Sequence, residues 1–295
     1  MCFLRAQKWM KIDATQPVDR PRRARLQGAR MPKSIAEQQF GPSAKAYAEC
    51  EVHRSGASLA RLVELVEPQS HWHALDVATG AGHTAMSFAP HVAHVIASDI
   101  TAEMLSETGK LAAERGLANV STATAEAQDL PFEAERFDLV TCRLAAHHFP
   151  DIGRFIEEAH AVLRPGGILA VVDNVPPDQD TVPGLTPSDV STVAEAYNAF
   201  EKLRDPSHAR ALSVEEWTDL KRKSGFEPRS CMLLEKEMAF RPWVERMRCT
   251  AETVRQLEQI IRQPSALSTF LKPHDDGEEL YLTLREAILV AQKHP

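Results

Sequence analysis

The sequence lacks an apolar run long enough to cross a bilayer, and it contains few cysteines. No segment approaches the roughly 20 consecutive apolar residues of a membrane-spanning helix, and the opening, Met1–Arg5, is too short for the apolar part of a signal peptide. The five cysteines include no Cys-x-x-Cys pair, which argues against a disulfide framework and a zinc site. These absences predict a cytoplasmic protein without a bound metal ion.

Acidic residues outnumber basic ones outside the first 33 residues. Residues 1–33 hold nine Lys and Arg against two Asp, a net +7, and because the whole chain carries −7, residues 34–295 carry −14. An acidic body repels nucleic-acid phosphates. We therefore expect a small-molecule partner and no nucleic acid, and a homodimer remains open. The basic leader is predicted to be disordered; a transit peptide and an upstream misassigned start codon are the alternatives.

Apolar β-branched segments alternate with helical patterns from His73 onward, as is typical of βα units that form a mostly parallel sheet. Strands are predicted at residues 73–77, 92–98, 120–125, 137–142 and 167–173. Helices are predicted at residues 58–67, 101–115 and 151–163. The pattern predicts an α/β domain over residues 34–295.

The alternation stops after the fifth predicted strand. Residues 174–212 are rich in proline and polar groups and become helical over 191–203, which predicts an insertion that covers the substrate. Ser213 and Glu216 form a capping box at the start of the next helix. Later elements are predicted as a strand at 232–240, a helix at 242–263 and a last strand at 286–292.

A glycine turn, residues 74–85 (ALDVATGAGHTA), joins the first predicted strand to a helix. Gly80 and Gly82 remove Cβ atoms where the backbone approaches a ligand, and the helix start offers unpaired N–H groups. Ordinary βα turns also use glycine, so the pair alone is weak. Asp99 follows Gly82 by seventeen residues and can accept hydrogen bonds from both hydroxyls of a ribose; its alternative role is to cap the next helix.

The turn also differs from a dinucleotide site. Asp76 precedes the glycines, and position 85 holds no third glycine. A carboxylate here would repel a pyrophosphate but favours a positively charged sulfonium with its amino acid.

Four segments in this order resemble the class I methyltransferases that use S-adenosyl-L-methionine (SAM), especially the ubiquinone and menaquinone C-methyltransferase branch, type 11. They are residues 75–82, 98–105, 125–132 with 137–140, and 162–167. Their joint order is more specific than any single motif. The resemblance makes residues 45–175 the cofactor half and implies a Rossmann-like sheet of seven mostly parallel strands with the last antiparallel.

The resemblance also implies roles for single residues. Asp76 and the backbone of 80–82 would hold the methionine end of SAM, Asp99 the ribose, and Glu126 with Ala127 the adenine edge. The chain departs from the family where Ala78 replaces the first glycine and Glu126 replaces an aspartate. The predicted cofactor-binding residues are Asp76, Ala78, Gly80, Gly82, Asp99, Ile100, Glu126, Ala127 and Arg143.

Two histidines follow the fourth predicted strand, at the edge where open α/β sheets bind ligands. Methyl transfer from a sulfonium is an in-line displacement that depends on positioning, and a histidine can remove a proton from a hydroxyl or an acidic carbon. His147 and His148 are therefore the candidate bases, and packing or helix capping is the alternative for each.

The insertion and the strand before it supply candidate acceptor-binding residues. Asn174, Arg204, His208 and Arg210 are predicted to bind the acceptor or to close the site, and a solvated helix end is the alternative. Residues 274–276 lack a complete metal-ligand set and are predicted to be a surface turn.

The combined prediction is methyl transfer from SAM, without metal, to carbon or oxygen of a small molecule. A quinol-like or phenolic acceptor is expected by analogy with the branch. Two alternatives stay open: a SAM-binding protein with another reaction, such as cyclisation, and a non-catalytic regulatory protein that keeps the cofactor site.

Overall fold

A mixed sheet connects the predicted βα units. Its strands are β1 His73–Val77, β2 His94–Asp99, β3 Val120–Thr124, β4 Phe137–Arg143, β5 Leu163–Asn174, β6 Phe226–Ala239, β7 His274–Asp275 and β8 Leu280–Lys293. The strand order is β3-β2-β1-β4-β5-β8-β6, and β7 pairs beside β8. The first five strands are parallel, whereas β8 runs antiparallel to both β5 and β6. The predicted α/β class and antiparallel last strand are therefore confirmed.

The computed structural model describes residues 34–44, 56–178 and 186–295, which belong to one compact unit that starts at Lys33. In these ranges the α-helices are α1 Ile35–Phe40, α2 Ala57–Val66, α3 His83–Phe88, α4 Ala102–Glu114, α5 Ile152–Val162, α6 Pro187–Arg204, α7 Val214–Lys223, α8 Phe240–Arg246, α9 Ala251–Arg262 and α10 Ala266–Leu271. The predicted disordered leader lies outside the described residues. None of the described helices is both long and apolar enough to cross a membrane.

The continuous path of the sheet has the seven strands that the resemblance implies, and a short eighth strand, β7, pairs with the start of β8. Residues 274–275, expected in a surface turn, form this short strand. One prediction about the second half of the chain is wrong. The single helix expected over 242–263 is two helices, because α8 ends at Arg246 and Thr250 accepts a hydrogen bond that starts α9. The predicted capping box of Ser213 and Glu216 is confirmed at the start of α7.

Apolar side chains cover both faces of the parallel strands. Helix α5 packs on one face, where Phe155 and Ile156 are fully buried, and helix α2 packs on the other, where Leu62 is fully buried. Burial on both faces leaves four consecutive residues of β1, 74–77, buried, although one of them is Asp76. In contrast, β6 is exposed at every second residue along most of its length.

A second apolar core lies beside the sheet. Helices α6, α8, α9 and α10 pack together over the first half of β8, and Tyr197, Trp243 and Phe270 form its buried aromatic centre. We call these four helices the helical cap. The cap joins the carboxyl ends of the parallel strands, so both the sheet and the cap contribute residues to one cavity.

Candidate active site

A cavity of about 570 Å³ lies at the carboxyl ends of the parallel strands, where α/β sheets of this type bind ligands. Its turn set, from the segments that follow β1 to β4, consists of Ala78, Gly80, Asp99, Ile100, Glu126, Ala127 and Arg143. Its cap set, from α1, α6, β6 and α8, includes Phe40, Lys202, Arg204, Lys236, Trp243 and Arg246. The carboxyl ends of β4 and β5 and the residues just after β4 add His147, His148 and Asn174 to the lining.

Asp76 is buried beneath the glycine turn, which it binds through hydrogen bonds, and it does not line the cavity. Its carboxylate accepts hydrogen bonds from the hydroxyls of Thr79 at 2.5 Å and Thr141 at 2.6 Å, and from the N–H of Ala85 at 3.2 Å. Burial raises the pKa of Asp76 to about 6, and the hydrogen bonds from the two threonines oppose this rise. Asp76 therefore fixes the shape of the turn, and its predicted contact with a ligand stays a prediction.

The two glycines of the turn serve different purposes. Gly80 lines the cavity with φ +56° and no atom near its ideal Cβ position. Gly82 has φ +85°, and a Cβ there would lie 2.5 Å from Cγ2 of Thr108 on α4. Gly82 is thus required by packing between the turn and a helix, whereas Gly80 exposes its backbone to the cavity.

Two residues that line the cavity adopt a backbone conformation that side chains disfavour. Ala78 has φ +51° in the turn after β1, and Leu144 has φ +54° in the turn after β4. Strained φ values of this kind cost on the order of 1–3 kcal/mol and are frequent at functional sites. Ala78, which departs from the family pattern, therefore still follows the backbone path that a glycine favours.

Asp99 links the glycine turn to the start of α4. Its carboxylate accepts hydrogen bonds from the N–H groups of Gly80 at 2.9 Å and Thr101 at 2.8 Å. Burial raises the pKa of Asp99, and the hydrogen bonds from Thr101 and Gly80 act in the opposite direction. Each carboxylate oxygen can accept a further hydrogen bond, and because Asp99 lines the cavity, a ligand diol can supply it.

His147 is bound to Asp173 at the ends of β4 and β5. Its ring Nδ1 lies 2.5 Å from one carboxylate oxygen, and its backbone N–H donates to the other at 2.9 Å. A carboxylate only accepts hydrogen bonds, so Nδ1 carries the proton and Nε2 carries the lone pair. Burial lowers the pKa of His147, but Asp173, with Glu201 and Asp205 nearby, raises it above its usual value.

His148 occupies a different environment. Its Nδ1 lies 3.1 Å from the hydroxyl of Ser207, and that hydroxyl donates to Asp205 at 2.5 Å. Since the single hydroxyl proton goes to Asp205, Ser207 accepts from Nδ1–H of His148. Burial and the neighbouring His147, whose ring centroid is 4.1 Å away, hold the pKa of His148 well below its usual value. His148 is therefore neutral and a weaker base than His147.

The predicted acceptor-binding residues are only partly brought together. Arg204 and Asn174 line the cavity. His208 lies behind it, where its ring Nε2 donates to Asn198 at 2.9 Å and burial lowers its pKa to about 3. Arg210 is exposed and paired with Glu216, so the solvated alternative describes its position.

The sequence prediction missed several residues of the site. Asp173, which holds His147 from behind the cavity wall, lies at or next to the end of a strand as Asp76 and Asp99 do, and this repeated position was the signal that could have identified it. Trp243 and Arg246 carry no such signal, because α8 reads as an ordinary amphipathic helix. They reach the cavity only through the packing of the helical cap.

A Rossmann-like sheet whose glycine turn and strand-end acid line one cavity is the architecture of a nucleoside-binding α/β protein. Residues 75–171 match the family model described as a methyltransferase domain. The chain is 35% identical over 181 residues to the uncharacterized methyltransferase YcgJ of Bacillus subtilis, covering 61% of this chain and 67% of YcgJ. It is also 39% identical over 101 residues to the ubiquinone/menaquinone biosynthesis C-methyltransferase UbiE of Bartonella henselae, covering 33% and 39%.

Solved structures similar to this chain also include methyltransferases. BH2331 of Bacillus halodurans, assigned as a methyltransferase, superposes with a TM-score of 0.74 at 34% identity and covers 81% of this chain and 100% of its own. The chain therefore belongs to the class I SAM-dependent methyltransferases, and it is an enzyme of that family.

Proposed function

We propose that this enzyme transfers a methyl group from SAM to an oxygen or an acidic carbon of a small phenolic or quinol-like molecule. The observation that carries the proposal is that His147, on the wall of the cavity, is held by the buried carboxylate of Asp173 at 2.5 Å. Such a pair presents a base to an acceptor whose proton must leave before or during methylation.

The turn set fits the cofactor. SAM, when bound, supplies a methyl group on a positively charged sulfur. The turn through Gly80 brings backbone to the cavity without a Cβ, and the buried carboxylate of Asp99 offers acceptor oxygens for the ribose hydroxyls. Glu126 and Ala127 would contact the adenine edge, and Arg143 would pair with the carboxylate at the methionine end.

The chain's own residues would handle the acceptor proton. Nε2 of His147 accepts it, and the resulting imidazolium is stabilised by the carboxylate of Asp173, which already holds the opposite side of the ring. His148 keeps its lone pair on Nε2 as well, but its depressed pKa makes it a poorer proton acceptor. We therefore assign the base to His147 and give His148 a role in shaping the wall.

The lining favours an acceptor with a flat aromatic ring. Phe40, Phe149 and Trp243 all line the cavity, and aromatic walls suit an aromatic ring. The net charge of −14 over residues 34–295 disfavours nucleic acid. UbiE, which matches part of this chain, is named for methylating carbon in quinone biosynthesis, and this name supports the quinol-like class.

Incubation with methyl-labelled SAM and a metabolite extract tests the proposal. We expect label in a small aromatic product with the wild-type protein, and a loss of about 10²- to 10⁴-fold in rate for His147→Ala. Binding of S-adenosylhomocysteine by His147→Ala, measured by calorimetry, should be unchanged. Label found only in protein or nucleic acid would refute the small-molecule acceptor.

A further inference from the structure

Most charged groups that line the cavity have a partner. Lys236 pairs with Glu286 at 2.6 Å, and Arg204 pairs with Glu201 at 2.9 Å while lying 4.4 Å from the ring of Trp243. Each of these cations is thereby neutralised within the protein.

The carboxylates that line the cavity are engaged as well. Asp205 accepts hydrogen bonds from the hydroxyl and N–H of Ser207 at 2.5 and 2.8 Å, and Asp99 accepts from two backbone N–H groups. Lys202 donates to the carbonyl of His208 at 2.5 Å. Its ammonium charge is hydrogen-bonded, but it has no ion-pair partner among the described residues.

Arg246 differs from these charged groups because its guanidinium has no partner among the described residues. It sits in the last turn of α8, three residues after Trp243, is half-buried and lines the cavity. Within residues 34–44, 56–178 and 186–295, its guanidinium has neither a hydrogen bond nor an ion pair. A half-buried guanidinium that faces a cavity is most stable when an anion occupies its donors, and a planar carboxylate or phosphate matches two of them at once.

We propose that Arg246 binds an anionic group of the methyl acceptor, so that the substrate class is an aromatic carboxylate or phosphate ester. This inference rests on the proposed function, because it assumes that the cap set faces the acceptor. Phe40, which also lines the cavity, would contact the ring of the acceptor and Arg246 its anionic group. Lys202 would add a second positive charge to the same cavity.

The inference is tested with simple probes in the presence of saturating S-adenosylhomocysteine. Ligand-observed NMR titrations compare benzoate and phenyl phosphate with benzamide, a neutral molecule of nearly the same shape as benzoate. We expect at least one anion to bind about ten- to a hundredfold more tightly than benzamide. The tighter of the two anions tells a carboxylate acceptor from a phosphate ester.

Three variants separate charge recognition from a structural role. Arg246→Gln should abolish the preference for the anion, and Arg246→Lys should keep part of it. Arg241→Gln is the matched control, since Arg241 is exposed on the same helix and outside the cavity; its preference should equal that of the wild type. Thermal unfolding of each variant checks that the fold is retained.

The outcomes also distinguish this inference from the proposed function. If wild-type protein binds S-adenosylhomocysteine but shows no preference for either anion over benzamide, the inference is overturned and the cofactor assignment stands. An undiminished preference in folded Arg246→Gln overturns it too, and leaves Arg246 as a partner of the negative end of α8. Failure to bind S-adenosylhomocysteine would instead overturn the proposed function.

Discussion

Asp173 accepts two hydrogen bonds from His147, one from the ring Nδ1 at 2.5 Å and one from the backbone N–H at 2.9 Å. The backbone bond fixes the position of the residue, and the ring bond fixes its tautomer. The neighbouring His148 reaches its carboxylate, Asp205, only through Ser207. Two adjacent histidines therefore have opposite pKa shifts, upward for His147 and downward for His148.

The pH dependence of catalysis follows from this pair. A base must be neutral, so kcat/KM should fall as pH drops through the raised pKa of His147. Asp173→Asn removes the negative charge that raises this pKa, so the acidic limb should move to lower pH. The variant should also lose about 10²- to 10⁴-fold in kcat/KM, because the tautomer is no longer fixed.

The measurement is kcat/KM from pH 5 to 9 with the acceptor found by labelling. Glu157→Gln is the control, since Glu157 is exposed and pairs with Arg154 on the same helix, α5. An acidic limb at the same pH in Asp173→Asn and wild type would exclude His147 as the base.

Asp99 should contribute strongly to cofactor affinity. Asp99→Ala removes a charged acceptor for two ribose hydroxyls, worth on the order of 3 kcal/mol, so S-adenosylhomocysteine should bind about a hundredfold more weakly. Isothermal titration calorimetry measures this change, with exposed Glu114→Gln on α4 as the control. Equal affinities for Asp99→Ala and the wild type would return Asp99 to its alternative role as a helix cap.

The close approach of Gly82 to α4 predicts a large loss of stability on substitution. Gly82→Ala places a Cβ 2.5 Å from Thr108 Cγ2 at φ +85°, and we expect the free energy of unfolding to drop by about 3 kcal/mol. Gly116→Ala, at φ +67° with open space around it, should cost only about 1 kcal/mol. Urea denaturation measures both.

A second substitution tests whether the clash is the cause. Thr108→Ser removes Cγ2 but keeps the hydroxyl that donates to the carbonyl of Gly80 at 2.9 Å. In the Gly82→Ala background it should restore part of the lost stability. Simple additivity of the two changes would show that strain in φ, and not the contact with Thr108, explains the loss.

A buried lysine on α7 makes stability depend on pH. Lys221 is 3% exposed, donates to the carbonyl of Leu289 at 3.2 Å, and burial lowers its pKa from 10.5 to about 7. Between pH 7 and 10.5 the unfolded chain binds more protons at Lys221 than the folded chain does. The free energy of unfolding therefore rises with pH over this range, and the stability present above pH 10.5 is lost as pH falls through about 7. The full effect is about 5 kcal/mol.

Lys221→Met removes this dependence. The stability gained by the variant over wild type should be largest at pH 6 and should shrink as the pH is raised to 10. Unfolding free energies from urea titrations at pH 6, 8 and 10 give this difference. The control, Lys223→Met, changes an exposed lysine on the same helix and should give a flat difference; a flat difference for Lys221→Met would contradict the pKa shift.

The parallel half of the sheet could be predicted from the sequence because its signals are local. Strand β1 was predicted at its observed bounds, and α5 within one residue at each end. Their boundaries are set by turn glycines, by the side chain of Asp151 at the start of α5 and by two-sided burial. Local patterns of this kind need no information from distant parts of the chain.

The antiparallel half was predicted poorly because its signals are not local. Strand β8 was expected to begin at residue 286 but begins at Leu280, because the adjacent charges of Arg285 and Glu286 interrupt its apolar pattern. Both are buried and paired across the sheet, Arg285 with Glu235 at 3.2 Å and Glu286 with Lys236 at 2.6 Å. Such pairing is visible only once the strands are adjacent.

The same limit applies to the site. The turn residues Gly80, Asp99 and Glu126 were found because they lie in a motif. The helical-cap residues Trp243 and Arg246 were not found, because their approach to the cavity depends on how four helices pack. The part of the cavity that the helical cap forms is therefore the part that a single sequence shows least.

The place of β8 in the sheet has a consequence for folding during translation. It lies between β5 and β6 and pairs with both, yet it follows both of them in the chain. Until β8 is synthesised, β5 and β6 present open edges, and the helical cap lacks the leucines of β8 that complete its core. Nascent chains should therefore remain prone to edge-to-edge aggregation, and dependent on chaperones, until β8 emerges from the ribosome.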